Sequence, residues 1–144
     1  MKRINQLQPL SKEHHLSLRL AKKCKDIAAK ETDEVIKAFS LQLKDDFDTQ
    51  WDKHFRTEEK TIFSVAENKD TEISEVCQQL KKEHQILEDM VENISAGDYQ
   101  LLHEFGQLLH DHTRLEENQL FPMVEDQFTQ EELDNILKHS IAVP

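Results

Sequence analysis

The sequence predicts an all-α protein in which four long amphipathic helices form an up-down-up-down bundle, closed by a short C-terminal helix. Its 144 residues include only two glycines and three prolines, so few positions interrupt a helix. Apolar residues recur at intervals of three and four along four successive segments, which is the spacing of one helix face. Short polar stretches separate these segments. A single domain over residues 1–144 is therefore expected.

The first predicted helix begins near a proline. Residues 1–9 are polar and are predicted to be irregular or loosely docked. Pro9 and Ser11 then mark a helix start, because proline is favoured at the beginning of a helix and serine is a good cap. The apolar stripe continues to about residue 29.

The second and third helices have polar residues at their predicted starts. Thr32 or Asp33 can cap a second helix, which can run to about Ala66 because no breaker occurs inside it. Its apolar face carries several large side chains, namely Ile36, Phe39, Leu43, Phe47, Trp51, Phe55 and Ile62. A third helix follows a short polar connection and is capped by Asp70 or Thr71.

Glycine, proline and a capping pattern divide the rest of the chain. Gly97 suits the left-handed conformation that ends many helices, and Asp98 is predicted to cap the fourth helix. Pro122 is expected to kink or end that helix because it lacks a backbone donor. Residues 129–132 (TQEE) form a capping-box pattern, which predicts a short closing helix.

The composition argues against several classes of partner. The formal net charge is −11, whereas phosphate backbones are bound by basic surfaces, so nucleic acid is not expected. No apolar stretch approaches the roughly 20 residues of a membrane span, and the N-terminus lacks a signal-peptide pattern. A cytoplasmic protein without a membrane partner is therefore expected. Cys24 and Cys77 lack disulfide or metal-site spacing and are expected to be buried thiols. The oligomeric state is not specified by the sequence.

An internal repeat is the most informative feature of the sequence. Residues 54–64 (HFRTEEKTIFS) align without gaps to residues 112–122 (HTRLEENQLFP), with five identities in eleven positions. Residues 12–14 (KEH) match residues 82–84 in the same way. The first two helices therefore resemble the last two, and every repeated segment contains a histidine.

The repeated histidines and glutamates have the spacing of a metal site. His54 and Glu58 are four residues apart, as are His112 and Glu116, so each pair projects from one helix face. One imidazole from each remaining helix completes a set of four histidines and two glutamates, namely His14, His54, Glu58, His84, His112 and Glu116. A carboxylate can bridge two cations, and this mixture of nitrogen and oxygen donors suits two iron ions.

A structural role is the competing interpretation. A single core histidine is often structural, and a single His-xxx-Glu pair often lies on a helix surface. Glu58 and Glu116, however, lie on faces otherwise lined by aromatic and aliphatic side chains. Burying two carboxylates there without a cation is costly. Protonated carboxyls or histidine–glutamate ion pairs would be the alternative.

Two pairs of histidines compete for single positions. His14 lies close to the apolar stripe of the first helix and His15 points away from it, so His14 is favoured and His15 is the alternative. His110 and His112 lie about 200° apart around their helix, so both cannot face one site. His112 is favoured because it has a glutamate four residues later.

Three further glutamates lie near the predicted ligands. Glu88 follows His84 by four residues on the same face and is a possible seventh ligand. Glu59 and Glu117 directly follow the two predicted ligand glutamates and point about 100° away from them. They are therefore expected to face solvent or to support the ligands from outside.

The ordered set of four histidines and two His-xxx-Glu pairs resembles the ligand pattern of the hemerythrin-like, or HHE, cation-binding domain. The sequences EEKTIF at residues 58–63 and EENQLFP at residues 116–122 fit that family too. The resemblance covers residues 10 to about 127. It implies a non-haem centre of two iron ions joined by an oxo or hydroxo bridge. Glu58 and Glu116 would bridge the irons, and the four histidines would be terminal ligands.

One position departs from the oxygen-carrying members of that family. They have a fifth histidine four residues after the third-helix histidine, where this chain has Glu88. A carboxylate at that position would favour the oxidised irons and disfavour reversible oxygen carriage. The resemblance therefore implies a protein that binds or senses dioxygen or a related small molecule, such as peroxide or nitric oxide. A di-iron peroxidase or oxidase, or an iron-responsive regulatory module, is the alternative. Manganese or zinc would accept many of the same side chains.

Overall fold

A computed structural model describes residues 3–140 of the chain. The helices are α1 (Gln8–Lys30), α2 (33–66), α3 (Thr71–Ser95), α4 (101–127) and α5 (Gln130–Ser140). A 3₁₀ turn at Asn5–Leu7 precedes α1. No strand occurs within residues 3–140, which confirms the predicted all-α fold class.

Side-chain caps and one glycine set the helix ends largely as predicted. Thr32 and Asp70 each accept a hydrogen bond from the backbone amide three residues later, at the starts of α2 and α3. Thr129 and Glu132 exchange two hydrogen bonds at the start of α5 and so form the predicted capping box. Gly97 follows α3 with a φ of 117°, a backbone conformation that residues other than glycine rarely adopt.

Two predicted boundaries are wrong. Residues 1–9 were expected to be irregular, yet within the described part the chain is helical from Asn5, because the fully buried Leu7 anchors it in the core. Residues 1 and 2 lie outside the described residues. Asp98 does not cap α4 through its side chain. It accepts a hydrogen bond from the amide of Leu101 through its backbone carbonyl instead.

Three π-helical turns interrupt the α-helical geometry of α2 and α4. They lie at Phe47–Trp51, Glu59–Phe63 and Glu116–Leu120. A π turn holds an extra residue, so it rotates the side chains after it relative to those before it. Pro122 lies two residues after the end of the third turn, where the regular ladder of hydrogen bonds is already interrupted. The helix therefore continues through Pro122 to residue 127 instead of ending there.

The long helices pack side by side, with α4 between α1 and α3, and α2 against α3. The α5 helix covers one end of the bundle, against the 3₁₀ turn and the later part of α2. Two apolar clusters fill the interior. One lies at the α5 end and includes Leu10, Phe63 and Phe121, and the other includes Trp51 and Phe105. None of the helices within residues 3–140 is both long and apolar enough to cross a membrane.

Candidate metal centre

A layer of buried polar side chains lies between the two apolar clusters. Along each of the four long helices, the polar residues occur between residues of one cluster and residues of the other. The six residues predicted as ligands belong to this layer, and none is more than 3% exposed. They are called the central cluster below and comprise His14, His54, Glu58, His84, His112 and Glu116.

The central cluster contains two overlapping groups of potential ligand atoms. One group takes His14 and His54, the other takes His84 and His112, and both include Glu58 and Glu116. Within each group, one nitrogen or oxygen atom per residue lies within 4.8 Å of the corresponding atoms of the others. The arrangement therefore offers two neighbouring cation positions that share both carboxylates.

Short contacts between Nε2 atoms and carboxylate oxygens define this geometry. His14 Nε2 lies 2.9 Å from Glu116 Oε1 and 3.3 Å from Glu58 Oε2. Glu58 Oε2 is also 3.2 Å from His54 Nε2, whereas its other oxygen is 3.2 Å from His84 Nε2. His112 Nε2 lies 3.5 Å from Glu116 Oε1. Glu58 thus directs one oxygen to each pair of histidines.

Four buried atoms of the central cluster make no well-aligned hydrogen bond with the described residues, although two of them, Glu58 Oε1 and His84 Nε2, lie 3.2 Å apart. They are Glu58 Oε1, Glu116 Oε2, His84 Nε2 and His112 Nε2. A buried polar atom without a partner is costly, and buried carboxylates normally pair with cations. All four atoms are electron-pair donors if the imidazoles are neutral, so one or two metal ions would satisfy them together.

The other ring nitrogen of each histidine contacts a second carboxylate. The four distances from Nδ1 to the nearest carboxylate oxygen are 2.6 Å for His14 and Glu117, 3.1 Å for His54 and Glu13, 2.8 Å for His84 and Glu59, and 2.8 Å for His112 and Glu83. These four are called the outer glutamates below. A carboxylate at Nδ1 accepts the ring proton there, which leaves the Nε2 lone pair free for a metal ion.

The sequence anticipated only half of the outer glutamates. Glu59 and Glu117 were expected to face solvent or to support the ligands, and the structure places both in supporting positions. Glu13 and Glu83 were missed. The signal for them was present in the repeated Lys-Glu-His segment, whose glutamates directly precede His14 and His84.

At His54 and His84, the neighbouring carboxylates raise the pKa of the imidazole more than burial lowers it. Burial alone would lower the pKa of His54, but Glu58 and Glu13 raise that pKa to about 9. Burial would also lower the pKa of His84, but Glu58 and Glu59 raise it to about 9. Protons therefore occupy these imidazoles at neutral pH when no cation is bound, and a metal ion would displace them.

The two shared carboxylates differ in their ionisation. Burial would raise the pKa of Glu58, but the imidazoles of His54, His14 and His84 hold it well below the usual range. For Glu116, burial and the charge of Glu58 keep the pKa above its ordinary value. The carboxyl of Glu58 therefore loses its proton more readily than that of Glu116.

Aromatic rings cover the imidazoles. Phe55 stacks on the ring of His84 with centroids 3.9 Å apart and planes 7° apart. Phe121 stacks on His14 at 5.2 Å. Trp51 meets the His54 ring edge-on at 5.8 Å. These rings limit the contact of water with the histidines.

Two residues considered as further ligands lie away from the central cluster. His15 is exposed on the outer face of α1. Glu88 is partly exposed and forms an ion pair with Arg56, and it belongs to neither group of potential ligand atoms. The guanidinium of Arg56 also lies 3.2 Å from Glu59, so this side of the bundle has a chain of contacts from Glu88 to His84.

A buried polar layer of four imidazoles and two shared carboxylates, inside a bundle of long helices, is typical of metal-binding helical proteins. The family comparison narrows this class. Residues 5–124 match the family model of the hemerythrin HHE cation binding domain, so the chain belongs to that family. No match was found among curated proteins or among solved structures.

Proposed function

We propose that the central cluster binds two iron ions, through which the protein binds or senses dioxygen or a related small molecule such as peroxide or nitric oxide. The observation that carries this proposal is the pair of ligand groups that share Glu58 and Glu116, with four buried atoms on Glu58, Glu116, His84 and His112 that make no well-aligned hydrogen bond. His14 and His54 would hold one ion and His84 and His112 the other. Glu58 and Glu116 would bind both.

The donor set supports iron as the metal. Imidazole nitrogen suits iron, copper, nickel and zinc, whereas carboxylate oxygen suits harder cations, so a mixed set favours iron or manganese over a thiolate-binding metal. Neither Cys24 nor Cys77 belongs to the groups of potential ligand atoms. When bound, a pair of irons can supply electrons to a small oxidant.

The protein's own residues would set the conditions for that chemistry. The outer glutamates fix the orientation of each imidazole through its Nδ1 proton. Phe55, Phe121 and Trp51 restrict water around the histidines. Because Glu88 is paired with Arg56, its carboxylate would not act as a further ligand to the ion held by His84. A centre with fewer protein donors has room for a small molecule, which supports binding or sensing.

The test is metal content and spectrum. Protein purified after growth in iron-rich medium should contain about two irons per chain, as expected for a bundle site with shared carboxylates. The reduced protein, kept without oxygen, should change its near-ultraviolet and visible absorption when dioxygen, peroxide or nitric oxide is added. Protein that takes up no ferrous iron anaerobically would overturn the metal proposal. Iron-loaded protein without any spectral response would overturn the small-molecule role.

The same sample separates the alternative functions. Steady-state consumption of peroxide that disappears in His112→Ala would favour a peroxidase. A large reversible rise in melting temperature on iron binding, without a response to small molecules, would favour an iron-responsive regulatory module.

A further inference from the structure

A cavity leads from the surface to one edge of the central cluster. It has a volume of about 410 Å³ and opens between the start of α1, the middle of α2 and the end of α5. Its lining includes Glu13 and His54, together with the polar side chains of Thr49, Gln50 and Thr57. Since His54 is itself a member of the central cluster, the cavity reaches one of the proposed metal ligands.

The carboxylate in this cavity is held more loosely than its three counterparts. Glu13 is 32% exposed, whereas the side chains of Glu117, Glu59 and Glu83 are 21%, 19% and 16% exposed. Its contact with a histidine, at 3.1 Å, is also the longest of the four. Within the described part of the chain, His54 is the one hydrogen-bond or ion-pair partner of Glu13.

The other outer glutamates each have a second partner. Glu117 accepts a hydrogen bond from Ser11 and lies 3.5 Å from the guanidinium of Arg3. Arg56 pairs with Glu59, and Gln79 donates to Glu83 at 3.0 Å. Among the four outer glutamates, Glu13 is therefore the one that can leave its histidine without breaking another hydrogen bond or ion pair to residues 3–140.

We propose that Glu13 is the entry point through which a divalent cation, ferrous iron in the first instance, reaches the central cluster. This inference rests on the proposed two-iron function. An ion arriving in the cavity would bind the Glu13 carboxylate with help from the hydroxyl and amide oxygens around it, which are donors that hard cations prefer. Once bound to the ion, the Glu13 carboxylate would no longer accept the Nδ1 proton of His54. The imidazole could then rotate and let the ion pass towards Glu58.

The charge of the whole chain, rather than that of the cavity lining, supports a cation as the occupant. The chain carries a formal net charge of −11, which raises the local concentration of cations around it. Lys53 also lines the cavity, so the lining as a whole has no strong preference for cations. Selection therefore falls to the Glu13 carboxylate at the inner end.

The internal repeat supplies a matched control for the experiment. Glu13→Gln and Glu83→Gln each remove one negative charge and one carboxylate from the Nδ1 of a central histidine. Glu83 is held by Gln79 and does not line this cavity. The metal-free chain would be mixed anaerobically with Co²⁺, whose visible bands report binding, and with Fe²⁺. Glu13→Gln should slow uptake by about tenfold, a loss at the lower end of electrostatic steering effects. Glu83→Gln loses the same kind of histidine contact, so its rate measures the orienting effect alone, and that effect should be clearly smaller than the loss in Glu13→Gln.

A second pair of variants tests the route without touching the outer glutamates. Gln50→Trp should narrow the cavity from its exposed rim and slow uptake. Gln85→Trp, at an equally exposed position in the groove beside Arg56, should not. Equal slowing by Glu13→Gln and Glu83→Gln would overturn the inference, because both glutamates would then merely orient histidines. Unchanged rates in Glu13→Gln and Gln50→Trp would overturn it as well. A parent chain that binds neither Co²⁺ nor Fe²⁺ would instead overturn the proposed function itself.

Discussion

The two helical hairpins, α1–α2 and α3–α4, supply the same side chains to the central cluster but surround them differently. In each hairpin, the glutamate that precedes the first histidine contacts the second histidine, as Glu13 does with His54. In each, the glutamate that follows the shared carboxylate reaches a histidine of the other hairpin, as Glu59 does with His84. The repeat therefore preserves every contact to the histidine Nδ1 atoms, including the two that cross between hairpins.

The difference lies in the contacts between neighbouring helices. Between α1 and α4, Gly106 allows such close packing that a Cβ at that position would come within 2.7 Å of the carbonyl oxygen of Ala21. Between α2 and α3, by contrast, a cavity of about 320 Å³ lies among Phe47, Val91 and Glu88. Equal ligands therefore do not imply equal surroundings. The metal-binding chemistry of the two hairpins should match, whereas the two helix contacts between them should differ in packing and in accessibility.

The largest expected effect tests whether the two shared carboxylates are equivalent. Glu58→Gln and Glu116→Gln should each reduce metal content from about two ions per chain to below one, because each carboxylate belongs to both groups of ligand atoms. Metal analysis after anaerobic loading with ferrous iron measures this. Glu88→Gln is the control and should retain the full complement, since Glu88 is paired with Arg56. A variant that keeps one tightly bound ion would show that its carboxylate serves one hairpin alone.

The second effect tests the close packing of α1 against α4. Gly106→Ala should destabilise the metal-free fold by about 1–3 kcal/mol, the usual cost of overpacking. The added methyl group would meet a backbone oxygen, which cannot move aside as a flexible side chain can. Urea unfolding followed by circular dichroism gives the free energy of unfolding.

Asp48→Ala is the control for this packing effect, since Asp48 lines the more open α2–α3 cavity. Its loss removes an ion pair with Lys44 near the surface, which should cost under about 1 kcal/mol. Equal losses of unfolding free energy in the two variants would mean that the α1–α4 and α2–α3 contacts are packed alike.

The ligand spacing was predictable because it depends on one helix at a time. Residues four apart on a helix share a face, so His54 with Glu58 and His112 with Glu116 could be paired without any knowledge of their neighbours. The repeat then selected His14 over His15. Helix starts were predictable for the same reason, as the side chains of Thr32 and Asp70 bond to amides only three residues away.

The remaining features depend on contacts between helices. Glu13 supports a histidine 41 residues further along the chain, and helix periodicity does not show which helix lies beside it. Glu88 has the right spacing for a ligand, but Arg56 on α2 draws its carboxylate away from the cluster. The π turns beside Glu58 and Glu116 likewise leave no signature in apolar spacing.

A smaller effect is expected from the outer glutamates that cross between hairpins. Glu59→Gln and Glu117→Gln should each weaken metal affinity about tenfold to a hundredfold, the usual result of removing a carboxylate behind a metal-binding histidine. Competition with a chelator of known affinity measures the change. Similar losses in both variants would support the equivalence of the hairpins. If only one variant lost affinity, the repeat would preserve contacts without preserving their energetic weight.

A control for Glu59→Gln is needed because that residue also pairs with Arg56. Glu88→Gln disturbs the same arginine without touching a histidine, so it should leave the affinity within about twofold of the parent. A loss as large as that of Glu59→Gln would assign the effect to Arg56.

The smallest effect concerns the two thiols, one in each hairpin. Burial raises the pKa of Cys24 and of Cys77 to about 12, so almost no thiolate, the reactive form, is present at pH 8. A disulfide reagent should therefore label neither thiol in the folded protein, and both after unfolding in urea. Gly106→Ala should make the two thiols differ in reactivity, because a Cβ at position 106 would lie 3.1 Å from the Cβ of Cys24. In that variant Cys24 should be labelled before Cys77, and the reverse order would show that strain at the α1–α4 contact is relieved elsewhere in the bundle.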